Sequence, residues 1–258
     1  MPPPEVPPLK RSFLPLLTAL LLTAPLLTAP LLATLLLAAL PAVSAAAPAW
    51  RATIGADLKE VARPRTLSIL AVGAVATAAS LSFENPGRQA AFFESGGFDG
   101  PSDVGNQYGS GVTLAALSGV FLGAGHIAND EGLKRTGSQM IRSLAYTGVA
   151  VTALKAAFGR TRPNGGRYSF PSGHTAAAFA VAPALASRLG PSYGIPAYLL
   201  AASTGMGRME DRKHYLSDVF FGAAVGLAVG MAVSGHDALP ARLDLEATPG
   251  GAAVSYHF

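Results

Sequence analysis

Six apolar stretches, rich in Ala, Leu and Gly and poor in strict alternation, set the fold class of this chain. They run from about Thr66 to Phe83, Gly111 to Ala128, Glu131 to Phe158, Ser172 to Leu189, Gly194 to Met206 and Leu216 to Gly235. Long apolar segments without a period of two read as helices rather than strands. The expectation is therefore an all-α fold, a six-helix bundle over residues 66–236. One of the six has a clear start, with Asn129 as N-cap and Asp130 and Glu131 in the first turn. The segment before the bundle, Trp50 to Arg65, is polar and amphipathic. The joint from Glu84 to Ser110 holds six glycines and few apolar residues, so it reads as a solvated connection rather than a lid. The tail, 237–258, alternates apolar and polar residues around Thr248-Pro249-Gly250-Gly251. That pattern predicts a small β-hairpin covering one end of the bundle. A single hairpin cannot build a membrane barrel, despite the terminal Phe258.

The first fifty residues contain ten of the chain's twenty prolines, and Phe13 to Val43 carries no charge. Lys10 and Arg11 before an apolar run, and Val43-Ser44-Ala45 after it, match the parts of an export signal over residues 1–45. An uncleaved anchor is the rival reading. Pro15, Pro25, Pro30 and Pro41 would each interrupt a spanning helix, which favours cleavage. Either reading takes the protein to the periplasm or the envelope membrane. Residues 46–65 then form a polar N-terminal segment, and the 213 residues beyond the signal suffice for one core. Most of the apolar stretches are short against the roughly 20 residues that a span requires, so not all six are expected to cross a membrane.

Zero cysteines exclude a thiolate zinc site, an iron–sulfur cluster and a cysteine nucleophile. The net charge of +4 is too mild to argue for nucleic acid. Where the charge sits is more informative. Lys155, Arg160, Arg162, Arg167, Arg208, Arg212 and Lys213 occupy two short segments that contain only Glu210 and Asp211 as acids. Cations concentrated between apolar helices imply an anionic ligand.

The spacing within these segments points to phosphate. Lys155 and Arg162 are seven residues apart, about two helical turns, and would leave one face of a helix that continued to Pro163. Phe170-Pro171-Ser172-Gly173-His174-Thr175 opens the fourth helix. Its N-terminal N–H groups suit a phosphate, with His174 at the rim. Arg208 precedes His214 by six residues, and His214 precedes Asp218 by four. If the chain turns helical near Lys213, Asp218 can reach one nitrogen of His214, fix its tautomer and leave the other free to attack.

These three segments, in this order, resemble the motifs of the type 2 phosphatidic acid phosphatase and vanadium haloperoxidase superfamily. The matching residues are Lys155 through Arg162-Pro163, Pro171-Ser172-Gly173-His174, and Arg208 with His214 and Asp218. That family usually has Ser before the third-motif arginine, where this chain has Gly207. The resemblance implies that Lys155, Arg162 and Arg208 bind phosphate oxygens, with Ser172 and the Gly173 backbone completing the cradle. It also implies His214 as the nucleophile forming a phosphohistidine, Asp218 as its orienting partner and His174 as the acid that protonates the leaving alcohol. No cofactor or metal is implied for hydrolysis. Arg160, Arg167, Arg212 and Lys213 read as surface or supporting charges, and His126, His236 and His257 as residues outside the site. The function expected is a phosphomonoesterase acting on a lipid phosphate, a diphosphate or a small phosphate ester, at a membrane and facing away from the cytoplasm. A vanadate-dependent haloperoxidase and a non-catalytic envelope protein that retains the fold are the alternatives.

Overall fold

The computed structural model describes residues 50–94, 96, 99–235, 243–248 and 251–256; the expected export signal, His236, His257 and the expected hairpin turn lie outside these residues. Among them are nine helices: α1 Trp50–Val61, α2 Pro64–Leu81, α3 Pro86–Glu94, α4 Asp99–Tyr108, α5 Gly111–Ile127, α6 Glu131–Phe158, α7 Gly173–Leu189, α8 Pro191–Glu210 and α9 Leu216–Ser234. Residues 243–248 and 251–256 form a two-stranded antiparallel ladder, with Leu243 opposite Tyr256 and Thr248 opposite Gly251.

Each of the six apolar stretches is a helix, but the count of six is corrected to nine. The three additional helices, α1, α3 and α4, are the least apolar of the nine. In α1, Asp57 turns inward and accepts from Arg142 Nε at 2.9 Å and from Tyr146 Oη at 3.0 Å, which ties this polar segment to α6. The joint from Glu84 to Ser110, expected as a solvated connection, is instead mostly helical. Asn85 caps α3 by accepting from the backbone N–H groups of Gly87 and Arg88 at 2.9 and 3.1 Å, and Pro86 sits at its first position. The buried positions of α4 are Ser102, Gly105 and Tyr108, spaced three apart. Its inward face is helical in period, but two of its three residues are small, so a hydrophobic pattern does not reveal it. A smaller correction concerns α6, whose N-cap is Asp130 and not Asn129: its carboxylate accepts from Leu133 N at 3.0 Å.

Helix α7 lies at the centre, with Ala176, Ala178, Ala180, Val181, Ala182, Ala184 and Leu185 all fully buried. It packs against α6, α8 and α9, while α2 covers the outer side of α9 and α5 pairs with α6. Alanine brings these helices close, and glycine brings α9 closer still. A Cβ on Gly222, Gly226 or Gly230 would stand 2.6, 2.0 and 2.4 Å from the carbonyl oxygens of Ser172, Ala176 and Ala180, respectively. Residues four apart on α9 thus meet carbonyls four apart on α7. No side chain fits between them, and the backbones touch in a single register.

Two helices, Pro64–Leu81 and Leu216–Ser234, are long and apolar enough to cross a membrane; the bent pair Gly100–Tyr108 and Gly111–Ile127 would make a third as one broken span. Only 17% of α2 is buried, and Val72 and Val75 are about 70% exposed on its outer face. An apolar helix displayed in this way suits hydrocarbon rather than water.

The glycine contact can be tested by a matched pair of substitutions. Alanine is favoured over glycine inside a helix by about 1 kcal/mol, whereas overpacking costs about 1–3 kcal/mol. Gly226→Ala is expected to lower the thermal unfolding midpoint in detergent. Gly148→Ala, with nothing within 4 Å of its Cβ, should raise it or leave it unchanged. Equal behaviour of the two variants would contradict this packing.

Candidate active site

The site forms where the N-termini of α7 and α9 lie side by side. Ser172 N donates to Asp218 O at 2.9 Å, joining the two first turns directly. The helix starts point the unpaired N–H groups of residues 173–175 toward the same space. Ser172 itself is fully buried, its hydroxyl 2.8 Å from that of Thr175.

Lys155 reaches this point from the last turn of α6. Its Cε would lie 3.8 Å from a Cβ on Gly173, so the lysine stem runs past the start of α7. Its Nζ donates to Tyr168 O at 2.6 Å and Ser169 O at 3.4 Å. The expectation that Lys155 and Arg162 share a helix face is corrected. Gly159 takes a left-handed conformation (φ 54°) and ends α6, with its N–H bonded to Lys155 O at 3.0 Å. Arg162 reaches the site from the following loop, which is closed by Arg162 N to Gly166 O at 2.8 Å. Asn164 N donates to Arg212 O at 3.0 Å and fastens this loop to the third motif.

The spacing from Arg208 to His214 is produced by the end of α8. Arg212 adopts φ 55°, Lys213 N donates to Arg208 O at 3.1 Å and Arg212 N to Met209 O at 3.0 Å. These are the two bonds of a left-handed helix cap. His214 N also donates to Arg208 O, at 3.2 Å. The arginine and the histidine are therefore fixed across one tight turn.

Asp218 stands beside His214 as expected, yet the expected hydrogen bond is not formed: His214 Nδ1 and Asp218 Oδ2 are 3.7 Å apart. Other groups hold the carboxylate. Tyr215 N donates to Oδ2 at 2.8 Å, the Ser169 hydroxyl bonds Oδ2, and Arg160 donates to Oδ1 at 2.7 Å. Of the two readings of Arg160, surface or supporting charge, the structure gives the supporting one. Its guanidinium bonds Glu84, Asp218 and the Ser217 hydroxyl and lies 4.4 Å over the Tyr215 ring. Glu84 in turn accepts from Ser217 N, at 3.2 Å, and from the Ser217 hydroxyl.

Other groups of the site have nitrogens without a partner. Arg162 Nε, Arg208 Nε and His214 Nδ1 are buried without a hydrogen-bond partner. Burial, reinforced by Arg162, lowers the Lys155 ammonium to about 8. Burial again, followed by Arg208, His214, Lys155 and Arg162, holds His174 near 4. His214 is 2% exposed and falls below the ordinary histidine value chiefly through burial, with Asp218 pulling the other way. Unpaired, desolvated donors around two neutral imidazoles form a receptor for an anion. Among the described residues, no three His, Asp or Glu side chains stand close enough to hold a metal ion.

Three anchors of this site were not visible in the sequence, and all come from the joint after α2. Glu84 holds Arg160 and the start of α9. Gln89 Nε2 donates to Met209 O at 2.7 Å and His214 O at 2.9 Å, bracing the turn between Arg208 and the histidine. Asn106 accepts from Arg208. Only the Asn85-Pro86 helix start was a readable signal here. The chain's departure at Gly207 also has a cause: a Cβ there would lie 2.5 Å from Ser102 O and 2.9 Å from the Asn106 side chain, so α4 occupies the space of a serine.

Comparison with known proteins agrees with the motifs. Residues 137–236 match the PAP2 superfamily, and the resemblance to type 2 phosphatidic acid phosphatases holds for this chain. A lipid A 1-phosphatase of Porphyromonas gingivalis is 45% identical over 91 residues, covering 34% of this chain and 20% of that protein. The chain thus spans a fifth of that relative's length. No solved structure matches the chain significantly.

The two roles found for arginine predict different costs. Arg160→Ala leaves two carboxylates without their cation and should destabilise the protein by roughly 3 kcal/mol. Arg167→Ala, at an exposed position, should change stability by less than about 0.5 kcal/mol. Chemical denaturation of both variants checks this, and equal midpoints would show that Arg160 is not an anchor.

Proposed function

We propose that this chain is a metal-independent phosphatase that hydrolyses a lipid-linked phosphate ester in the cell envelope, through a phosphohistidine on His214. The observation that carries this reading is the convergence of Lys155, Arg162 and Arg208 on two adjacent helix N-termini that carry His174 and His214. Such a cradle suits a tetrahedral dianion, and its three cations match the charge spread over the phosphoryl oxygens during transfer. The lipid character is supported by the apolar, outward-facing α2 and by the activity for which the lipid A 1-phosphatase is named. The envelope location is supported by the same features together with the signal-like first 45 residues.

Lys155, Arg162, Arg208 and the N–H groups at the start of α7 bind the phosphate oxygens. His214 Nδ1 lies on the Asp218 side, so Nε2 attacks phosphorus; the bond to the ester oxygen breaks, and His174 donates a proton to the departing oxygen. His174 then accepts a proton from the water that attacks phosphorus. That attack breaks the P–N bond, frees inorganic phosphate and restores the imidazole. Asp218 stabilises the positive charge on His214 during attack, and the 3.7 Å gap closes as the imidazole gains that charge.

With so low a value, His174 acts as an acid only if the substrate raises it. A phosphate dianion placed among the cations offsets their repulsion and raises the histidine, so His174 carries its proton in the complex. An acid of this kind loses activity as pH rises through its pKa. The basic limb of kcat should therefore lie at higher pH than that of kcat/KM. Removing the acid matters most where the departing group is basic. His174→Ala should slow an alkyl phosphate about 100- to 10,000-fold and an activated aryl phosphate far less. Phosphate release from both esters, with halide oxidation assayed alongside, is the measurement. Equal losses on the two esters would reject this role, and halide oxidation without phosphate release would reject the phosphatase.

A further inference from the structure

Arg208 is held from outside its own motif. Its NH1 donates to Asn106 Oδ1 at 3.1 Å and to Asp211 Oδ2 at 3.0 Å, while Asn106 Nδ2 donates to the same Asp211 oxygen at 3.2 Å. This triangle fixes the amide. Its oxygen must face the guanidinium, which only donates, and its NH2 must face the carboxylate, which only accepts.

A short asparagine can reach Arg208 only because α4 and α8 nearly touch. A Cβ on Gly105 would stand 2.3 Å from Ser203, one on Gly109 2.1 Å from Thr204, and one on Gly207 2.5 Å from Ser102 O. Thr204 Oγ1 adds a bond to Gly105 O at 2.8 Å. Three glycines, on both sides of the contact, bring the backbones to a distance at which the Asn106 amide meets the arginine.

We infer that Asn106 is a positioning residue for phosphate binding: it clamps NH1 of Arg208 so that the buried, unpartnered Nε is presented to the anion. This rests on the reading of Arg208 as a cradle residue. The choice of an amide has a physical reason. A neutral acceptor orients a cation without cancelling its charge, whereas a carboxylate in its place would compete with the substrate. Asp211 already contacts the same NH1, but its side chain is 41% exposed, so solvent screens its charge. Asn106 supplies the orientation that this screened pair cannot.

The test separates anchoring of the anion from anchoring of the fold. Orthophosphate is titrated calorimetrically into wild type, Asn106→Ala and Asn106→Asp, with KM and kcat for an aryl phosphate and the unfolding midpoint recorded for each. Asn106→Ala is expected to weaken orthophosphate and raise KM about 10-fold, as befits a hydrogen bond to a charged group. Its kcat should fall less than about threefold, and its midpoint should move by no more than about 2 °C. Asn106→Asp keeps the shape and the Oδ1 acceptor but adds charge beside Arg208, so it should weaken orthophosphate at least as much. That variant carries the test if the alanine protein does not fold. Orthophosphate affinity within twofold of wild type in a folded variant would overturn the proposal, as would parallel losses of kcat and midpoint without a change in KM. A wild type that binds orthophosphate but hydrolyses nothing would instead overturn the proposed function, leaving the binding comparison to decide this one.

Discussion

The arrangement of the site depends on a single backbone contact. Gly222, Gly226 and Gly230 let α9 settle onto the carbonyls of Ser172, Ala176 and Ala180, and Ser172 N closes the upper end by bonding Asp218 O. Register between the two helices is fixed in steps of four residues, because only the glycine row admits the opposing carbonyls. Two helix N-termini consequently end level with each other. The dipoles of both helices point to one place, where the first-turn N–H groups of α7 and charged groups from α6 and α8 also arrive. Any side chain in the row would separate the helices and pull the second motif away from the third.

Seven cations sit in two short segments, and the fold divides their work. Arg160 is spent on structure, saturated by Glu84, Asp218 and Ser217. Arg162 and Arg208 keep buried donors free, and Lys155 bonds only carbonyl oxygens. Holding Asp218 through Arg160, Ser169 and the Tyr215 N–H leaves it near His214 without consuming the imidazole. The uncompensated cations and the burial of His214 are costly by themselves, and an anion would relieve both. In the proposed reading, affinity for phosphate and neutrality of the two imidazoles come from the same desolvation.

The six principal helices were legible because they are apolar, whether the apolar side chains fill the core or, on α2, face outward. The joint from Glu84 to Ser110 was not, because α4 buries Ser102 and Gly105 beside a single large side chain, Tyr108, and so leaves little apolar signature. Motif spacing found the residues that converge at the candidate site but misjudged one relation between them. Gly159 ends α6 before Arg162, so a two-turn spacing does not mean one face here. Arg160 lies two residues from Arg162 with identical chemistry, and only its partners Glu84 and Asp218 distinguish them. Gln89 and Asn106 act on backbone carbonyls and on Arg208 across more than a hundred residues of sequence, so no local pattern reports them.

In the proposed mechanism, two packed helix N-termini hold His214 in position to attack phosphorus. Its most direct test is to quench the enzyme during turnover of a phosphorus-labelled ester, keep it at alkaline pH, and map the label by mass spectrometry. The account predicts an acid-labile phosphate on His214 alone, absent in His214→Ala and accumulating in a variant whose second step is slowed. Label on His174, or steady-state turnover by the His214→Ala protein, would contradict it.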